Sequence, residues 1–375
     1  MNYAAPWWLP GGNLQTIWAA LRSRRFLGEQ PVFRRERWTT PDGDFVDVDW
    51  LEVAPTLVTA CTALPPEGAH VALGRACGET PSGTLVASRN SLPPEGGPSA
   101  GLSPSADTST TSPLLVVFHG LEGSSGSHYA EAFADVARSR GWACAVPHFR
   151  GCSGELNLGP RAYHSGDFAE IDWILKRFAD QHAGPVMAVG ISLGGNALMR
   201  WAAEEGAQAR QIVAGVASVS SPLDLAASGW AIGRGFNRQV YTRMFLRSMV
   251  PKALRKLDQH PGLFDRDKLL AARDLYEFDN IFTAPLHGFK DADDYWERAS
   301  AKPHLHRIAV PALALNALND PFIPRSSLPQ AGSVGQHVTL WQPATGGHVG
   351  FPSGPFPAHV RAMPEAVASF LASQL

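Results

Sequence analysis

Four uninterrupted apolar runs constrain this chain more than any other feature: PLLVVFHG from Pro113, ACAVPHF from Ala143, PVMAVGIS from Pro185 and VAGVASVSS from Val213. A strand that is apolar at every position has no face to give to water, so it belongs inside a sheet covered on both sides. The stretches between these runs carry the other periodicity. Residues 127–140, closed by Gly141, residues 167–182, with Phe168, Ile171, Ile174, Leu175 and Phe178 on one side, and residues 196–205 all read as helices. Strand and helix in alternation predict an α/β fold, a mostly parallel central sheet with helices on both faces.

This alternation has flanks and interruptions. Residues 32–53 predict two strands, VFRRERWTT and DFVDVDWLEV, turned at Pro41-Asp42-Gly43. From 54 to 112 the chain is rich in Pro, Gly, Ser, Thr and Ala, and LPPEG recurs at Leu64 and Leu92. Two copies make no solenoid, and so few aromatics cannot bury enough surface to offset ordering, so 54–112 reads as a flexible insertion. Between 222 and 303 helix-like pieces such as YTRMFLRSMVPKALRKL stand without a convincing strand, which predicts an inserted helical cap. Alternation resumes with strands VPALALNA and HVTLWQ and a terminal helix, MPEAVASFLASQL. The 375 residues are thus expected to form one domain, 1–375, with two insertions.

Composition removes several function classes. Hydrophobic residues make up 45% and charged ones 18%, which excludes wholesale disorder. A formal charge of −2 creates no field suited to nucleic acid. Cys61, Cys77, Cys144 and Cys152 include no C-x-x-C pair, which argues against a disulfide framework or a zinc site and for a reducing compartment. The sequence shows no leader pattern and no run approaching about 18 apolar residues, so a cytoplasmic protein without a transmembrane segment is expected.

The chemistry starts at Gly190-Ile191-Ser192-Leu193-Gly194, where the third apolar run meets a helix. The pentapeptide is short, and a plain strand–helix turn could carry it. A nucleophile elbow, however, needs this junction, with the serine in a strained turn and small neighbours that let strand and helix approach. A serine hydroxyl also needs a base. In such folds the acid and then the histidine follow the serine in the chain. Of the late histidines, His337 opens a strand and His359 lies in a Pro-rich stretch. His348, in TGGHVGF, sits in a loop past the last strand and is the expected base. Asp320, in the loop after VPALALNA, is the expected orienting acid; Asp291, Asp293 and Asp294 precede that strand and read as solvated charge. The oxyanion would take the N–H groups of Leu193 and Leu121, the latter in His119-Gly120-Leu121-Glu122-Gly123. His119 itself reads as a structural turn residue.

Weaker features surround these. Cys152, in HFRGCSGE, has no basic neighbour in sequence to activate it. Arg22, Arg24, Arg25, Arg34, Arg35 and Arg37 read as a solvated face, with contact to a membrane surface as the alternative. Trp230, Phe236, Tyr241, Met244, Phe245 and Met249 either line an acyl pocket or, the commoner fate at helical spacing, form core.

The blocks PDGDFVDVDW, FHGLEGSSGSHYA, PHFRGCSGELN, YHSGD, VGISLGGN, NDPFIP and GGHVGF run in order from Pro41 to Phe351. In them the chain resembles the YheT-type family of α/β-hydrolases, which includes bacterial predicted hydrolases, eukaryotic membrane-associated lipid esterases and yeast medium-chain ethyl ester synthases. The resemblance covers nearly the whole chain apart from 54–112. It implies the α/β-hydrolase fold, a charge relay of Ser192, Asp320 and His348, and a small-molecule ester or lipid-like substrate; such a hydrolase is expected to need no cofactor or metal. The sequence departs from the family in GGNLQT, where Asn13 stands at a position that relatives give to His. Acyl transfer to an alcohol through the same acyl-enzyme, and a non-catalytic binding role on a hydrolase scaffold, are the alternative readings; the oligomeric state is not specified by sequence.

Overall fold

The computed structural model describes residues 3–52 and 111–375; the 54–112 insertion lies outside them except for Thr111 and Ser112. The described residues build an eight-stranded sheet of β1 Phe33–Thr39, β2 Phe45–Leu51, β3 Leu114–Phe118, β4 Ala143–Pro147, β5 Val186–Ile191, β6 Gly215–Val219, β7 Ala312–Leu315 and β8 Val338–Trp341. Its order is β1-β2-β4-β3-β5-β6-β7-β8. β1 and β2 form an antiparallel hairpin whose second strand pairs antiparallel with β4. The remaining pairings are parallel, with Val189 of β5 between Val117 and Ala217.

Side chains alternate across the pleat. Leu114, Val116 and Phe118 point to a layer containing helix α3 (Phe168–Gln181), through Ile171, Ile174, Leu175 and Phe178, and helix α4 (Leu193–Glu205). Leu115 and Val117 point the other way, to α2 (His128–Ser139) and the terminal helix Ala362–Ala372. These side chains are fully buried, each contributing about 1.5–3 kcal/mol by leaving water. The predicted apolar strands and flanking helices are therefore present, with sheet faces covered on both sides. The helix expected at 196–205 starts earlier, at Leu193, directly after the elbow serine.

Between β6 and β7 the described chain forms no strand. It folds into helices, the longest being Leu225–Ile232, Arg243–Gln259 and Ala292–Ala299. Of the aspartates expected to be solvated charge, Asp293 is exposed and Asp291 and Asp294 are half-buried, and two of them also bond within this segment. Asp291 caps the last of these helices, accepting the Asp294 N–H at 2.9 Å, and Asp293 accepts the Tyr276 hydroxyl at 2.8 Å.

One further helix, α1 (Gly12–Leu21), has no counterpart among the sequence expectations. Its buried residues are Gln15, Thr16 and Ala19, while Leu14 and Leu21 are exposed. That is the inverse of the pattern that marks an amphipathic helix, and no side chain caps its start.

Candidate active site

The carboxyl ends of the parallel strands converge on one side of the sheet, where open α/β sheets place their ligand sites. Ser192 leaves β5 with φ 51° and ψ −117° and is the N-terminal boundary of α4. A non-glycine residue in the left-handed region is strained. Tight packing on both sides holds it there. A Cβ on Gly190 would lie 2.5 Å from the Gly194 carbonyl oxygen, and one on Gly194 would lie 2.5 Å from that of His119 and 2.8 Å from that of Phe118. Gly194→Ala is therefore expected to destabilise the protein by about 1–3 kcal/mol through overpacking. A lowered urea midpoint measures this, and an unchanged midpoint would contradict the close approach of α4 to β3.

The histidine and the acid arrive from loops after β8 and β7. His348 Nε2 lies 3.1 Å from Ser192 Oγ, and its Nδ1 lies 2.9 Å and 3.2 Å from the two oxygens of Asp320. The Asp320 carboxylate is fully buried and also accepts the Phe322 N–H at 2.8 Å. The Phe322 ring lies 4.1 Å from the imidazole, centroid to centroid, and limits its tilt. Serine, histidine and aspartate thus form one continuous hydrogen-bonded line. His337 instead faces Arg210, and His359 bridges Arg24 and Ser353 through backbone.

Residues 113–355 match the model of the alpha/beta hydrolase fold family. Over 246 residues the chain is 43% identical to YheT of Escherichia coli (strain K12), an esterase by name, in an alignment covering 64% of this chain and 71% of YheT. It is 27% identical over 271 residues to Phospholipase ABHD3 of Mus musculus, covering 70% of this chain and 64% of that protein. The solved structure of DcsB in complex with its substrate analogue matches with a TM-score of 0.50 and 11% identity, covering 92% of this chain and 100% of that one. The chain belongs to the YheT-type α/β-hydrolases.

In this α/β-hydrolase the loop after β3 comes up against the serine: a Cβ on Gly120 would lie 3.2 Å from Ser192 Cβ. Two tyrosines clamp that loop. Tyr129 Oη accepts the Gly120 N–H at 3.0 Å, and Tyr163 Oη accepts the Glu122 N–H at 3.0 Å while donating to Glu122 Oε1 at 2.8 Å. Lys252, from helix Arg243–Gln259, donates to the same carboxylate oxygen at 2.7 Å. Between the clamped residues, the Leu121 N–H has no protein acceptor among the described residues, and neither has that of Leu193. Leu121, Leu193, Ser192 and His348 all border one cleft.

The opposite wall of the cleft is helical and apolar, with Leu225, Ile232, Phe245, Met249, Phe278 and Trp296. The aromatic and methionine set singled out from sequence therefore divides. Phe245 and Met249 line the cleft, Tyr241 is buried against Phe322, and Trp230, Phe236 and Met244 are exposed, so neither pocket nor core describes the whole set. Cys152 also has a basic neighbour that sequence proximity missed, Lys252 Nζ at 3.6 Å from Sγ, yet burial pushes its thiol up to about 11, so it stays protonated. The N-terminal arginines are only partly solvated charge, since Arg35 pairs with Asp49, Arg37 with Asp47, and Arg25 with Glu131.

Sequence reasoning also missed what holds the histidine loop, which is α1. Thr16 Oγ1 accepts the His348 N–H at 2.8 Å, Gln15 Oε1 accepts the Gly346 N–H at 2.9 Å, and Asn319 Oδ1 accepts the Gly347 N–H at 3.0 Å. Asn319 Nδ2 donates to Gln15 Oε1 at 2.9 Å, which ties the acid loop to the same helix. Asn13, the departure from the family pattern, accepts the Tyr241 hydroxyl at 2.9 Å. The segment GGNLQT was the only signal available for these contacts.

Three histidines around the site are shielded from water, His119 fully buried and His128 and His164 half-buried. Desolvation pushes His119 down to about 3, and His128 and His164 down to about 4. His128 Nε2 donates to the Val349 carbonyl, next to His348, at 3.3 Å. Above the ordinary histidine value of 6.5 both folded and unfolded states are neutral at these positions. Below it the unfolded chain takes up protons that the folded protein refuses until about 4, so stability falls as pH drops through that window. The urea midpoint is expected to decrease progressively from pH 6.5 towards 4, and a flat profile would contradict neutral burial.

Proposed function

We propose that this esterase/lipase-type α/β-hydrolase cleaves carboxylic esters with short- to medium-chain or lipid-like acyl groups through an acyl-enzyme on Ser192. His348 Nε2 takes the hydroxyl proton as Ser192 Oγ attacks the ester carbonyl, and Asp320 holds Nδ1–H and balances the imidazolium charge. The Leu121 and Leu193 N–H groups receive the oxyanion. His348 then protonates the leaving alkoxide, and water, deprotonated by the same nitrogen, releases the acid and regenerates the serine. No cofactor is needed for these steps.

The hydrogen-bonded line from Ser192 Oγ through His348 to the buried Asp320 carries this reading. The apolar wall of the cleft supports an acyl chain as the group bound beside Ser192. The relatives named as an esterase and a phospholipase point to the same bond type.

The test pairs labelling with turnover. A fluorophosphonate is expected to modify Ser192, located by peptide mass spectrometry, and p-nitrophenyl esters of increasing acyl length are expected to be hydrolysed. Purified protein that is neither labelled at Ser192 nor active on any ester of the series would sink the proposal.

A further inference from the structure

We propose that the outward face of α1, with the aromatic residues beside it, docks on an anionic lipid bilayer. Leu14, Trp18 and Leu21 fall on one face of this helix, three and four residues apart. Leu14 is 48% exposed and Leu21 72%. The Trp18 ring lies 5.5 Å from that of Trp8 and 5.7 Å from that of Phe356, which is itself 72% exposed, and the adjacent Trp7 is 91% exposed. A contiguous apolar and aromatic surface of this kind brings a monomer in water no stabilisation, and such patches mark places where something else binds.

The surrounding charge selects the occupant. Arg22 and Arg24 follow the helix; both are exposed, and among the described residues neither has an ion-pair partner, unlike Arg25, which pairs with Glu131 at 3.1 Å. The helix next to α1, joined to it by the hydrogen bond from Tyr241 to Asn13, carries more cations. From Arg234 to Leu257 the chain has seven Lys and Arg and no Asp or Glu; Lys252 pairs with Glu122 and Lys256 is buried, while Arg243, Met244 and Arg247 are exposed. Tryptophan, leucine and arginine together suit the bilayer interface, where rings and aliphatic side chains enter the headgroup boundary and guanidinium groups meet anionic lipid. A second copy of this chain seated face to face would bring the same cations together from both sides, which disfavours self-association. Nucleic acid would satisfy the arginines and leave the apolar centre in water.

The inner face of α1 holds the His348 and Asp320 loops. Docking its outer face would therefore set the cleft close to lipid-dissolved esters. That consequence rests on the proposed hydrolase activity; docking does not, and it is measured without turnover.

Co-sedimentation of the full chain with vesicles tests the surface. Wild type is expected to bind vesicles of phosphatidylcholine mixed with phosphatidylglycerol and to bind phosphatidylcholine alone weakly. Leu14→Ser with Leu21→Ser should lower partitioning by about tenfold or more on the mixed vesicles. Arg22→Gln with Arg24→Gln should lower it by about twenty-five-fold, about fivefold per charge removed, on the anionic vesicles only. Leu270→Ser, at a position 50% exposed on another element, should bind as wild type does, and circular dichroism checks that each variant is folded. Failure of folded wild type to sediment with anionic vesicles, or wild-type binding by both double variants, overturns the proposal. So does a dimer in sedimentation velocity that Leu14→Ser with Leu21→Ser dissociates, since the face would then belong to a second copy.

Discussion

Ser192→Ala is expected to lower kcat/KM for p-nitrophenyl esters by about 10⁴-fold or more, because it removes the proposed attacking atom and leaves only binding and the proposed oxyanion donors. The larger information lies in how the losses combine. His348→Ala should cost about as much as Ser192→Ala, and the double variant should be no worse than either, because residues that act as one unit do not contribute additively. Asp320→Asn should also cost about 10⁴-fold with the fold intact, since an amide in that buried position favours the wrong tautomer of His348. Steady-state kinetics on the four proteins decide the matter. Ser192→Ala retaining more than about a hundredth of wild-type activity would move the nucleophile elsewhere.

The second large effect concerns stability. Arg150 follows β4 and is almost completely buried, with Nε donating to Glu170 Oε2 at 2.5 Å and Nη1 to Asp42 at 2.8 Å and Asp44 at 3.1 Å. Asp44 in turn accepts from Asn157 Nδ2 at 2.6 Å and from the Leu158 and Gly159 N–H groups, so the guanidinium pins the 150–159 loop to the β1–β2 turn. Arg150→Met keeps much of the volume and removes the charge. It leaves Glu170 and Asp44 buried without their cation, and breaking one side of a buried pair costs about 3–5 kcal/mol. Burial already pushes the Glu170 carboxyl up, and losing the guanidinium would push it further, so part of that cost is relieved at acid pH. The expected result is a urea midpoint far below wild type at neutral pH, with the gap narrowing on acidification. Because Gly151, Leu156 and Asn157 of this loop line the cleft, the variant should also raise KM. An unchanged midpoint would show that the network contributes nothing to stability.

Particular residues show why sequence reached some features and not others. The strand holding Leu114–Phe118 was legible because five consecutive apolar residues have few alternatives to a doubly covered strand. Asp320 and His348 were reached by chain order and by loop positions after late strands, and the structure brings both to Ser192. Helix α1 was illegible because its inward face is polar: Gln15 and Thr16 are buried to serve the amides of a loop more than 300 residues away. Lys252 was missed for the same kind of reason, since its partners Glu122 and Cys152 lie 130 and 100 residues distant.

Local sequence determined what adjacent residues can settle among themselves: the apolar runs and helical periods that make the sheet and its layers, and the small residues that allow a strained serine. Only the tertiary structure decided which loop amides remain unpaired, which cap side chains face the cleft, and which buried polar groups answer one another. A side chain's burial and partners depend on segments far away in the chain, and periodicity carries no record of them. Leu14 and Leu21 belong to that second group: their apolar character is written in the sequence, and their outward direction follows from what Gln15 and Thr16 hold on the other side of the helix.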